Sequence, residues 1–118
     1  MSNIYALQRF KWENLSAEEQ QNLQRSVCTL LERPSAPGLY LKKMQGGDDL
    51  VWSFRVNDHK RVLFTYYRED YKTHLVLLAY YNDHDRYEDS TFLRPGVVRE
   101  KLRQYGFTDT GLGVAPIQ

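Results

Sequence analysis

The chain predicts an α+β domain: two N-terminal helices packed on a mainly antiparallel, four-stranded sheet meander, with a short helix near the C-terminus. Three observations carry this. Apolar residues recur at helical spacing in "LSAEEQQNLQRSVCTLLERP", ahead of any long alternating run. From residue 39 the spacing changes from helical to alternate. Short polar turns then separate the alternating runs, as consecutive antiparallel strands require.

The first segment, "IYALQRFKWEN", places Ile4, Leu7 and Phe10 about one turn apart and reads as a short helix sealed by Trp12 and Leu15. In the second, Ser16 followed three residues later by Glu19 is the signature of a capping box. Leu23, Val27, Leu30 and Leu31 form one apolar stripe, and Pro34 ends the helix. After the turn-rich "RPSAPG", "LYLKKM" (39–44) reads as a strand and "GGDD" as a loop. "LVWSFRVN" sends Leu50, Trp52, Phe54 and Val56 one way and Ser53, Arg55 and Asn57 the other. "NDHK" turns the chain into "RVLFTYY"; "YREDYK" turns it again into "THLVLLAYY", which is apolar on both faces and reads as a central strand. The helices are expected to cover one face of this sheet. "RPGVVREKLRQYG" closes the fold as a helix stopped by Gly106. One domain over 1–105 is expected, with 106–118 a flexible tail.

Hydrophobic residues make up 42% and aromatics 14% of the 118 residues, a composition that supports a packed core and excludes a disordered segment. Sixteen basic against 15 acidic side chains leave a net charge of +1, which excludes a strong global field for nucleic acid but permits a local basic face. Cys28 is the single cysteine, so there is no internal disulfide and no thiolate-based zinc site. With no apolar leader and no run of about 18 apolar residues, a soluble, cytoplasmic protein without membrane contact is expected.

Chemistry concentrates in two places. In the predicted meander, Arg55 lies late on one strand and Arg61 early on the next, beside His59 and Lys60 of the turn. A solvated turn is the plain reading of these charges; a phosphate grip is the functional one. The second place is "YYNDHDRYED" (80–89), at the end of the central strand. Asp83, His84 and Asp85 offer metal-ligand types. Arg86 and Tyr87 follow where a calcium loop requires glycine, and a lone His–Asp pair is weak for zinc, so no metal or other cofactor is assigned. His84 oriented by a carboxylate, with Tyr87 as a second acid, is a reasonable proton-transfer pair.

The order of elements, with "LVWSFRVNDHKRVLF" followed by a strongly apolar strand and "HDRY", resembles the RelE/ParE superfamily of small toxins from toxin–antitoxin pairs. There an arginine ends one strand, a second opens the next, and a polar segment with a terminal aromatic closes the last. Arg55, Arg61 and Tyr87 match those places, and "LERPSAPGLYLKKMQGGDDL" resembles the family's helix end, proline and first strand. The resemblance covers about residues 3–89. It implies a metal-independent endoribonuclease that cuts messenger RNA, at the ribosome in some members, by 2′-OH attack on the adjacent phosphate. Arg55 and Arg61 would hold the phosphate, His84 and Tyr87 would share the proton transfers, and His59, Lys60, Lys42 and Lys43 would seat the RNA. An antitoxin partner is implied as well. The chain departs from RNA-cutting members at Val51 and Ser53, where those carry lysines, and in the acidic "YYNDHD". The alternative therefore stays open: a non-catalytic module of this fold that poisons a topoisomerase, accompanies a helicase or binds another protein.

Overall fold

The computed structural model describes residues 4–7, 10, 14–45, 51–57, 60–69, 72–81 and 90–110. In chain order the elements are β1 (Ile4–Leu7), α1 (Ala17–Glu32), β2 (Lys42–Lys43), β3 (Trp52–Arg55), β4 (Arg61–Glu69), β5 (Lys72–Tyr81), α2 (Val97–Tyr105) and β6 (Phe107–Asp109). Short 3-10 helices cover Pro37–Leu39 and Thr91–Leu93. The expected role of Trp12 and the "GGDD" loop lie outside the described residues, as do His59, His84 and Tyr87.

The start of α1 follows its sequence signature. The Glu19 N–H donates to the Ser16 hydroxyl at 3.1 Å, and the Ser16 N–H donates to the Glu19 carboxylate at 3.4 Å. Two orphan donors of the first turn are thereby satisfied, and Glu18 and Glu19 complement the positive end of the helix dipole. At the other end, Pro34 disfavours helical dihedrals at Arg33, which leaves the helix with φ −142° and ψ 75°. Leu23, Val27 and Leu30 are buried, but Leu31 is 36% exposed and does not join the stripe as expected. At 3.6 residues per turn, Leu31 sits about 80° around the helix from Leu23. Ser26 occupies the buried side instead, donating its hydroxyl to the Val56 carbonyl at 3.4 Å.

Strands β2, β3, β4 and β5 form the expected antiparallel meander in chain order. The sheet continues beyond it, in the order β2-β3-β4-β5-β1-β6, with β1 parallel to β5 and antiparallel to β6. Two expectations are corrected here. Residues 4–7 are a strand rather than the start of a helix, because Ile4 and Ala6 are buried in one cluster while Tyr5 packs against another, a period of two. The second edge of β5, apolar on both faces, has its backbone groups satisfied by β1. Residues 107–109, expected to be part of a loose tail, pair with β1, and the Thr110 N–H and hydroxyl both donate to the Ile4 carbonyl, at 3.0 and 2.8 Å.

Apolar side chains alternate across the sheet into two cores. Phe54, Val62, Phe64, Leu75 and Leu77 pack with Leu23, Val27 and Leu30 of α1. Leu63, Val76 and Leu78 pack with Met44, Val51 and Val98 of α2. The helices therefore lie on both faces, not one as expected: β5 carries leucine and valine on both sides, and each side needs a cover. Helix α2 ends at Gly106, as its sequence predicts, with φ 69°, a backbone conformation that costs other residues energy. Among the described residues no helix is long and apolar enough to cross a membrane.

Candidate functional site

The β3–β4 hairpin is closed by its own backbone and by one asparagine. The Val56 N–H donates to the Lys60 carbonyl at 3.0 Å, and the Lys60 N–H donates to the Asn57 side-chain oxygen at 3.0 Å. Asparagine suits this place because its side chain substitutes for a backbone acceptor in a turn. Phe54 and Val62, fully buried on the α1 side, fix the register that sets Arg55 directly opposite Arg61.

Directly opposed residues share a face, so the two arginines project together. Their guanidinium groups meet at one acceptor: Arg55 Nε donates to the Asn57 carbonyl at 3.1 Å, and Arg61 Nη1 donates to the same oxygen at 3.4 Å. Arg61 Nη1 also donates to the Lys60 carbonyl at 3.1 Å. A carbonyl solvates a guanidinium without cancelling its charge. Two like charges brought to one acceptor repel each other. An anion between them reverses the sign of that term.

Aromatic rings flank the pair. The Arg55 guanidinium lies 4.5 Å from the centroid of Tyr40, an exposed residue held at φ 50°. On the other side Tyr81 of β5 stands opposite Arg61. The Tyr81 hydroxyl donates to the Ser90 hydroxyl at 2.8 Å, so the two residues that bracket 82–89 are tied together beside Arg61.

The remaining expected site residues divide. Lys42 pairs with Ser53 and shares the arginine face, whereas Lys43 pairs with Trp52 and sits over its ring at 5.9 Å on the other face. Lys60 lies in the turn itself. His59, His84 and Tyr87 lie outside the described residues. Val51 and Ser53, expected to point outward, are buried, because the second core extends under β3. Among the described residues no three His, Cys, Asp or Glu side chains gather as a metal set.

Comparison with known proteins finds no matching family model, no matching curated protein and no matching solved structure. The chemistry of the site thus rests on its own geometry.

Two features were not anticipated from the sequence. Tyr80 donates its hydroxyl to Glu19 Oε2 at 3.0 Å, tying β5 to the capping residue of α1. Burial pushes the Glu19 carboxyl up, but hydrogen bonds from Tyr80 and Ser16 and the charge of Lys60 outweigh it, leaving its pKa below the ordinary 4.5. Burial, then the Glu19 hydrogen bond and charge, raise the Tyr80 phenol well above its usual value. The second feature is a cleft of about 400 Å³ in which Arg55 is joined by Arg25 and Arg33 of the α1 segment. The available signal was the i, i+4, i+8 spacing of Arg25, Thr29 and Arg33.

Proposed function

We propose that the chain is an RNA-cutting toxin of the RelE/ParE kind, a metal-independent endoribonuclease whose phosphate grip is the Arg55–Arg61 pair. One observation carries the reading: two arginines, forced opposite each other by the β3–β4 register, converge on the single Asn57 carbonyl. Two guanidinium groups on one carbonyl place several N–H donors where the oxygens of one phosphate can meet them. The ribose 2′-oxygen attacks the adjacent phosphorus, the bond to the 5′-oxygen breaks, and the products are a 2′,3′-cyclic phosphate and a 5′-hydroxyl. Arg55 and Arg61 stabilise charge on the non-bridging oxygens. His84 and Tyr87 take the proton from the 2′-hydroxyl and return one to the leaving oxygen. Supporting their assignment, residues 82–89 begin at the strand partner of Arg61 and both flanks are joined by the Tyr81–Ser90 hydrogen bond. His84 is three residues from Tyr81, a chain reach of about 10 Å. Cytoplasmic messenger RNA, free or on the ribosome, is the substrate, and an antitoxin segment is the partner that covers the site.

A second reading is favoured by the burial of Val51 and Ser53 at positions where RNA-cutting members carry lysines. It is a binding module of the same fold, directed at a topoisomerase, a helicase or another protein. End-labelled RNA incubated with the purified protein in excess chelator separates the two. Cleavage to cyclic-phosphate ends that Arg61→Ala abolishes supports the ribonuclease. Intact RNA at every protein concentration supports the module.

A further inference from the structure

Along α1, Arg25, Thr29 and Arg33 recur every four residues and line one open cleft with Arg55 at the end of β3. Each charge has a plain explanation when taken singly. Arg33 is the C-cap of α1 and complements the negative end of its dipole. Arg25 is exposed and reaches Asn22 Oδ1 at 3.3 Å, as a solvated helix residue does. Neither explanation accounts for both of them lining the same cleft as Arg55, in which, among the described residues, no carboxylate takes part.

We propose that this cleft is a second anionic subsite that holds the sugar–phosphate backbone of a single RNA strand on its way to or from the Arg55–Arg61 pair. The inference rests on the RNA reading of that pair and extends it across α1. The dimensions suit a strand: Arg25 and the C-cap Arg33 are eight residues apart, about 12 Å along a helix, a span over which successive phosphates of a chain can each meet one arginine. Arg55 lines the cleft and also shares the Asn57 carbonyl with Arg61, so one side chain is common to the two sites. Arginine suits the task through its bidentate geometry toward phosphate oxygens.

The test uses the full chain and a short 2′-O-methyl oligoribonucleotide, which keeps every phosphate but lacks the attacking hydroxyl. Binding is measured against salt for the wild type, for Arg25→Gln/Arg33→Gln, and for Arg99→Gln/Arg103→Gln on α2, which removes the same charge elsewhere. Circular dichroism verifies that all three fold. Each lost phosphate contact lowers the slope of log K against log salt by about 0.7 for single strands, so the α1 pair is expected to lower it by about 1.4. A weakening of roughly tenfold or more at fixed salt accompanies it. The α2 pair is expected to leave both quantities near wild type. Equal loss in both double variants, or no loss in the α1 variant, overturns the subsite. So does a polyglutamate peptide, or inorganic phosphate alone, that needs Arg25 and Arg33 while the oligonucleotide does not bind. Because the probe is uncleavable, absence of cleavage on ordinary RNA refutes the ribonuclease without touching this result, and retained cleavage with unchanged binding refutes the subsite alone.

Discussion

Replacing Tyr80 with phenylalanine tests how β5 holds the start of α1. The change removes one hydroxyl and keeps the ring in place. What is lost is the 3.0 Å bond to Glu19 Oε2, which spans 61 residues of sequence. A hydrogen bond to a charged acceptor contributes about 1.5–3 kcal/mol. Water replaces part of that here, since Glu19 is only half-buried and keeps its Ser16 N–H donor. A loss of about 1–1.5 kcal/mol is expected at neutral pH, or roughly 4–6 °C in Tm for a domain of this size. The sign of the pH dependence follows from Glu19. Its pKa is lowered in the folded state from the ordinary 4.5, so the stabilisation is complete above that value and is lost as pH falls through the lowered one. The Tyr80→Phe penalty should therefore shrink in acid. Urea unfolding of wild type, Tyr80→Phe, Glu19→Gln and the double variant at neutral and acid pH yields the coupling directly. Zero coupling at neutral pH, or a penalty that does not change with pH, refutes the reasoning.

Other expectations follow from the same structure. Ser16→Ala removes one half of the capping box and should cost about 1 kcal/mol by urea unfolding, with no effect on RNA cleavage. Phe64→Ala, at a fully buried position in the core beneath α1, should cost about 3–5 kcal/mol and lower Tm steeply. Gly106→Ala forces a side chain into φ 69° with ψ −174°, a region other residues avoid, and should cost about 1–3 kcal/mol even though nothing lies near the added carbon. The raised phenol of Tyr80 contributes stability in full below its ordinary value of 10.0 and loses it as pH rises toward the raised one, so the Tyr80→Phe penalty read by urea unfolding should shrink as pH rises above 10.

The parts of the fold legible in sequence are those set by neighbours in the chain. The capping box of α1, its stop before Pro34, the β3–β4 hairpin and the Gly106 terminus each depend on residues within a few positions of one another. What could not be read depends on distant partners. "IYAL" carries a spacing that fits one turn of helix or a short buried strand equally well. Its choice is made by β5, some 70 residues away, whose open edge it fills. The pairing of 107–109 with β1 is likewise decided at long range. The covering of both faces follows from "HLVLLA", whose two apolar sides were read correctly while the helices were assigned to only one. In the site, the placing of Arg55 and Arg61 at the same end of neighbouring strands was visible from the alternation, while their direct opposition is set by the register. The approach of Arg25 and Arg33 was not visible, because it depends on how α1 crosses the sheet.

The central claim is that the Arg55–Arg61 pair grips a scissile phosphate, and induction in a bacterial host tests it most directly. Growth is followed for wild type, Arg61→Ala and Arg61→Lys, with primer extension mapping transcript ends. The account predicts arrest by the wild type with new cuts inside messages, both absent in Arg61→Ala and reduced in Arg61→Lys, which keeps charge but loses the forked geometry. Arrest without new cuts, or cuts that persist in Arg61→Ala, would contradict it.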